Sequence, residues 1–242
     1  MRHAVRGYAV THPSATVVLP TGPGWDHLLY ASAGVMTVET ETGTWVVPPH
    51  RALWAPDGTP FRIVMHGRVS VRTLYLSSEL DVLSREWRVV NVTPLLRELV
   101  IHAVRTSPLD LDHPEHARLI GVLVDQLATL PQVPLQLPRP SDPRAQVLAD
   151  ELVATIATDA PLDELAAAVG ASRRTLERLF LDETAMTIGQ WRQRARLVEA
   201  LRRLAEGESV TATAYAVGYS TPSAFGAMFR EAMGETPGRY FA

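Results

Sequence analysis

Residues 162–179 read LDELAAAVGASRRTLERL, residues 210–229 read VTATAYAVGYSTPSAFGAMF, and the two stretches are variants of one pattern. A pair of helices crossing at a tight turn needs three things: a small residue at the crossing, a residue that accepts positive φ in the turn, and an apolar residue on the second helix that closes the core. Ala166, Gly170 and Leu176 supply them at intervals of four and six. Ala214 and Gly218 follow 48 positions later, while Phe225 and Phe229 lie 49 positions after Leu176 and Phe180, so the second turn is one residue longer. One such match fits any helical hairpin, but a second match whose offset changes by only one residue across the turn is an internal repeat. The pattern predicts two helix-turn-helix units whose second helices cover 172–182 and 221–232.

Pro161 suits the start of the first helix, and the Ser172 hydroxyl can cap the second. Leu176, Leu179 and Phe180 form the inward stripe, which turns Arg173, Arg174, Glu177 and Arg178 outward. In the second unit Thr221, Ser223, Gly226, Ala227 and Arg230 take the outward face, which is poor in charge. Between the units, residues 188–205 set Trp191, Leu197, Val198, Leu201 and Leu204 against Arg192, Arg196, Glu199, Arg202 and Arg203, the signature of one amphipathic helix. Eighteen residues at helical rise reach about 27 Å.

Upstream, residues 131–143 hold five prolines and little periodicity, which is linker composition. The expected organisation is therefore a domain over 1–130, a linker over 131–143 and a helical domain over 144–242. From Val17 to Leu76, short runs (VVL, LLYA, VMTVET, TWVV, ALWA, FRIVM, VSVRTLYL) alternate with Gly22, Gly34, Gly43, Gly58 and Gly67, a spacing that suits a β-barrel or sandwich. Thr42-Gly43 reads as a two-residue hairpin turn. After Thr93 the period becomes helical, at Leu95, Leu96, Leu99, Val100 and Ala103, then at Leu119, Ile120, Leu123, Val124 and Leu127. These two apolar stripes exceed what one small barrel must cover, which leaves two readings: they join two copies into a homodimer, or both helices pack on their own barrel.

The last 80 or so residues resemble the DNA-binding domain of the AraC/XylS regulators. Ala214, Gly218, Tyr219, Ser223, Phe225, Phe229, Gly234, Pro237 and Tyr240 carry the most specific part of that likeness, and Leu165, Ala166, Ser172, Leu176, Arg178, Phe180, Arg196 and Ala200 also fit. Ala185 departs from it, standing where the family has glycine at a helix end. The resemblance implies double-stranded DNA as partner, with Ser172, Arg173, Arg174, Thr175, Glu177, Arg178, Ser220, Thr221, Ser223, Ala227 and Arg230 at the interface. Arginine can pair bidentately with guanine, and the connector's length suits helices set into successive turns of the major groove, about 34 Å apart. It also implies RNA polymerase as a partner if the protein activates transcription, the commoner mode in the family.

Residues 15–76 resemble the cupin-like sensor domain of some of these regulators, in LLYASAGVMTVET, WVVPPHRALW and RTLYL. The fold class expected is α+β: a cupin-like β-barrel with trailing helices, then an all-α domain with two helix-turn-helix units joined by a long helix. Where cupins hold a metal with a His-x-His pair and a later histidine, Thr21, Pro23 and Phe61 stand instead. The expectation is no metal and no cofactor, with a small organic effector held near His27, Tyr30, His50 and Trp54.

Composition agrees. The 242-residue chain lacks cysteine, which removes disulfides, thiolate metal sites and cysteine nucleophiles. No apolar run is long enough for a signal peptide or a membrane span, so a cytoplasmic location is expected. The net charge of −3 gives no global nucleic-acid signature, and from Arg144 onward 11 arginines face 13 acids. Over residues 172–203, however, eight arginines face four acids, and local charge is what a phosphate backbone senses across a Debye length of about 8–10 Å. A metal-dependent cupin enzyme would need a ligand set the chain does not offer. A helical interaction module that has lost DNA binding is the remaining alternative.

Overall fold

A computed structural model describes residues 3–13, 15–17, 23–83, 85–130, 132–133, 135–158 and 160–241. Thr21, Gly22 and the end of the VVL run lie outside these. The chain divides into two compact units, Met1–Thr40 with Trp45–Leu135 and Glu41–Thr44 with Gln136–Ala242.

The first unit is an antiparallel sheet with two helices. Its strands are β1 (His3–His12), β2 (Ala15–Val17), β3 (Trp25–Thr40), β4 (Gly43–Val47), β5 (Arg51–Ala55), β6 (Arg62–Ser77), β7 (Arg88–Asn91), β8 (Leu109–Asp110) and β9 (Gln132–Val133). The hydrogen-bonded order is β8-β1-β6-β3-β5-β7-β9, with β2 on β6 and β4 on β3. Two corrections concern strand length. Runs read as separate strands fuse into the 16-residue β3 and β6, and Gly34 (φ +77) and Gly67 (φ +69) lie inside them, not in turns between them. Register shifts at Ala31/Ala33 and Ala33/Val35 show β3 irregular beside Gly34, where bulges let a long strand bend without ending. A side chain at 34 would also meet the Arg68 carbonyl at 2.5 Å. The hairpin turn falls on Glu41 and Thr42, with Gly43 opening β4.

β1 escapes sequence reading because its burial pattern does not alternate. Its middle is covered by α1 (Pro94–Thr106): a Cβ on Gly7 would stand 2.5 Å from Val104 Cα, and the Gly7 N–H donates to Ser107 Oγ at 2.6 Å. α1 is capped by Thr93 and packs on α2 (Pro114–Ala128). The helical stripes are consumed internally: Leu96, Val100, Ala103, Ile120, Leu123 and Leu127 join Leu28, Tyr30, Trp54, Leu74 and Leu76 in one core cluster. Leu95, expected in that stripe, points outward at 54% exposure.

The second unit opens with strand β10 (Gln136–Pro138), and β9, just before it, belongs to the first unit and pairs there with β7, so the proline-rich stretch carries short strands. Helices follow: α3 (Pro143–Ala154), α4 (Leu162–Ala168), α5 (Arg173–Thr184), α6 (Ile188–Ala205), α7 (Val210–Ala216), α8 (Pro222–Met233) and α9 (Pro237–Tyr240). One core forms where α3, α4, α5 and α6 meet, around Leu148, Leu152, Ala166, Leu176, Phe180 and Trp191. A second is an aromatic relay, Tyr219 to Phe225 to Phe229 to Tyr240, with centroids 5.7 to 5.9 Å apart. Among the described residues, no helix is long and apolar enough to cross a membrane.

Candidate nucleic-acid interface

The two helix-turn-helix units share a frame down to individual hydrogen bonds. Ala166 and Ala214 are buried at the crossings, and Leu176, Phe180, Phe225 and Phe229 have no exposed surface. α4 ends with Gly170 at φ +67 and α7 with Gly218 at φ +84. In both, the glycine N–H donates three residues back, to Ala167 or Tyr215, and the next N–H donates five back, to Ala166 or Ala214. This paired arrangement ends a helix through a left-handed residue and satisfies carbonyls that the helix leaves open. The extra residue in the second turn separates Gly218 from its cap: Ser172 Oγ accepts from Thr175 N–H at 3.2 Å, whereas Thr221 Oγ1 accepts from Ala224 N–H at 3.2 Å.

The outward faces differ. Arg173, Arg174, Glu177 and Arg178 are all exposed on α5, and Ser223, Ala227 and Arg230 form one exposed stripe on α8, with Ser220 exposed in the turn before it. Ser172, Thr175 and Thr221 are occupied in helix starts, the Ser172 hydroxyl lying 2.9 Å from Thr175 Oγ1. Sequence reading missed that most of the α5 arginines are already paired. Arg173 Nε donates to Glu177 at 2.8 Å with Asp163 at 3.8 Å, and Arg178 donates to Asp182 at 3.1 Å. Two of these pairs are four residues apart, the helix-face spacing that could have revealed them. Among the described residues Arg174 has no ion pair, which leaves it the most available cation of the face.

Behind this face, α6 begins with a reciprocal cap between Thr187 and Gln190. Trp191 packs edge-on to Phe180 at 5.7 Å and donates its indole N–H to Pro138 O at 2.8 Å. Burial alone would raise the Glu183 carboxyl, but the backbone N–H groups of Asp142 and Ser141, at 3.1 and 2.7 Å, hold it below its ordinary value. Glu183 thereby ties α5 to the start of α3. Glu199 behaves alike: burial opposes ionisation, and hydrogen bonds from Arg202 and Arg203 overcome it. Ala185 sits in the left-handed region, φ 55, at the end of α5, so the helix keeps its usual ending and the alanine bears the strain.

The four residues expected to form an effector pocket do not converge. Tyr30 and Trp54 belong to the core shared with α1 and α2. His27 pairs with Tyr75 and Ala55 across the sheet, and alternation along a strand puts it on the face opposite Tyr30. His50 is an exposed turn residue with φ 60. What does assemble on the His27 face is an aromatic group. Phe61 lies 5.4 Å from the His27 ring and 5.5 Å from Trp87, Tyr75 is 4.8 Å from His27, and Trp45 stacks on Trp87 at 6.0 Å. Among the described residues, Trp45 Nε1 and Thr73 Oγ1 are buried there without a hydrogen-bond partner. Among the described residues no group of three histidine or carboxylate side chains is placed to hold a metal.

Residues 165–242 match the Helix-turn-helix domain family. The HTH-type transcriptional regulator NimR of Escherichia coli (strain K12) is 31% identical over 215 residues, which cover 89% of this chain and 79% of NimR. The HTH-type transcriptional activator RhaS of Pectobacterium carotovorum subsp. carotovorum (strain PC1) is 40% identical over 65 residues, 26% of this chain and 23% of RhaS. The crystal structure of ToxT from Vibrio cholerae O395 aligns over 99% of this chain and 98% of its own, with a TM-score of 0.42 and 11% identity.

Proposed function

The chain belongs to the AraC-type helix-turn-helix transcription regulators, a family of DNA-binding proteins and not of enzymes, and from that premise we propose that it is an effector-responsive activator that lays α5 and α8 into successive turns of one major groove. The observation that carries the reading is the duplicated frame on either side of the 18-residue α6. A rigid rod of about 27 Å separates two outward faces on the scale of a groove repeat. Arg173, Arg174 and Arg178 supply the base and phosphate contacts of the first unit. Ser220, Thr221, Ser223 and Ala227 contribute van der Waals contact and hydroxyl hydrogen bonds in the second, with Arg230 on a phosphate. The test is a footprint of the full chain on the DNA upstream of its own gene. Two protected patches on one face of the duplex, about one helical turn apart, are expected; a single patch refutes the two-groove reading.

The effector is a small organic molecule, taken against the aromatic group of His27, Trp45, Phe61, Tyr75 and Trp87. The buried Trp45 N–H and Thr73 hydroxyl support this, since a ligand acceptor would satisfy groups that are costly to leave unpaired. Activation would bring RNA polymerase as a partner. Self-association would use what α1 and α2 leave outside, including Leu95 and Val122, 54% and 45% exposed. Light scattering showing a monomer at micromolar concentration sinks that last element.

A further inference from the structure

We propose that Arg196, in the middle of α6, is a positioning residue that fixes the second recognition helix relative to the first; the functional half of this rests on the reading that both units engage one duplex. Arg196 is partly buried, and its guanidinium meets both halves of the domain. Its Nε–H donates to Ile156 O at 3.3 Å, and Ile156 belongs to the core of the first helix-turn-helix unit. Its carbon centre lies 5.8 Å from the centre of the Tyr219 ring. Tyr219 in turn packs edge-on to Phe225, the buried anchor of α8, at 5.7 Å. One turn earlier on α6, Arg192 donates to Thr158 O, so two arginines hold the carbonyls that follow α3.

A comparison of equivalent glycines shows that this junction is built into the fold. Around Gly170 a Cβ would meet nothing within 4 Å, so only its φ asks for glycine. At Gly218 the same atom would stand 2.8 Å from Arg196 Nη2, 2.9 Å from Ile156 O and 3.0 Å from Ala157 O. The second turn is pressed onto the arginine and the loop after α3, while the first turn is open. A guanidinium suits the place because its edge donates hydrogen bonds in plane while its face lies on an aromatic ring; an ammonium cannot do both. A helix such as α6 sets a distance, but it does not fix how α7 and α8 are rotated about its axis. The Arg196 contact supplies that restraint, so the two recognition helices meet DNA already in phase and the second engagement is effectively intramolecular.

The chain has no cysteine, so spin labels at Leu181→Cys on α5 and Glu231→Cys on α8 report the distance between the helices in the full protein without DNA. The parent should give one narrow distance distribution. Arg196→Leu should broaden it, Arg196→Lys should restore it only in part, and Tyr219→Phe should keep it narrow where Tyr219→Leu does not. A narrow, unshifted distribution in Arg196→Leu overturns the proposal. If that variant loses its helical circular dichroism, the Tyr219 pair decides, and a narrow distribution in Tyr219→Leu overturns it. On random-sequence duplexes, Arg196→Leu without labels should lose about tenfold in affinity on about 30 base pairs and almost none on about 12, a length that admits one unit. Equal losses on both lengths would count against it. Should the parent show no gain from the longer duplex, the two-groove reading fails, while the label distances still judge the strut.

Discussion

The two helix-turn-helix units have the same inside and different outsides. Ala166 and Ala214, Gly170 and Gly218, Leu176 and Phe225, and Phe180 and Phe229 occupy equivalent places, and the helix-ending hydrogen bonds match residue for residue. On the surface, α5 carries three arginines threaded with Glu177 and Asp182, while α8 offers Ser223, Ala227 and Arg230. The difference follows from what each position costs to change. Truncating a buried apolar side chain costs about 2–5 kcal/mol, but an exposed substitution away from a cap costs within about 0.5 kcal/mol. Duplicated units can therefore diverge outside while the interior holds them to one frame.

The largest expected effect sets one face against the other. Arg174→Ala with Arg178→Ala should weaken operator binding by about 2–6 kcal/mol, roughly thirtyfold or more, and flatten its salt dependence by about two charges. Ser223→Ala should cost under about 1 kcal/mol, the scale of one neutral hydrogen bond. Equal losses, measured by gel shift across a salt series, would erase the asymmetry.

Removing the acids should act in the opposite direction. Glu177→Gln with Asp182→Asn frees Arg178 from its pair and leaves Arg173 only the longer contact to Asp163, at 3.8 Å. Affinity for random-sequence DNA should rise severalfold at low salt and the gain should fade as salt screens it. No gain at low salt would mean that the pairs do not compete with phosphate.

A smaller effect compares the two helix ends. Ala185 and Gly234 both take the left-handed conformation after α5 and α8, at φ 55 and φ 87. Ala185→Gly should stabilise the domain by about 1 kcal/mol, and Gly234→Ala, with open space around its Cβ position, should destabilise it by about the same. Urea unfolding measures both. If neither changes the midpoint, backbone strain at these ends is not what separates the units.

The smallest effect is in pH. Glu183 is held below its ordinary value in the folded protein, so the unfolded chain binds the more protons in the window between the two values. Its contribution is thus complete above the unfolded carboxyl's value, near pH 4–5, and is lost as pH falls through the lower folded value. Amide exchange at Ser141 and Asp142, whose N–H groups donate to Glu183, should lose protection relative to its intrinsic, base-catalysed rate on acidification through that range, and should lose less in Glu183→Gln. An unchanged profile in the variant would remove Glu183 as the cause.

Helices and sheet were not equally legible. α5 begins one residue inside its expected start and α8 ends one residue beyond its expected end, because caps, turn glycines and apolar period all point to the same boundaries. The sheet was misread at Gly34 and Gly67, which punctuate a strand when read locally but sit within continuous strands once a neighbour pairs across them. β1 was missed because α1 and β6 bury it irregularly, and no local period encodes a partner some hundred residues away.

The sequence by itself determined the duplicated helical frame, its caps, its outward arginines and the family it belongs to, since each depends on contacts within about a turn of helix or on a repeat visible along the chain. Only the tertiary structure decided that His27 and Tyr30 face opposite ways, that Phe61 joins Trp87 and Trp45, that Glu183 receives the start of α3, and that Arg196 meets Tyr219. The physical reason is that strand register and long-range packing set which face a side chain takes, and a shift of one residue reverses every one of them.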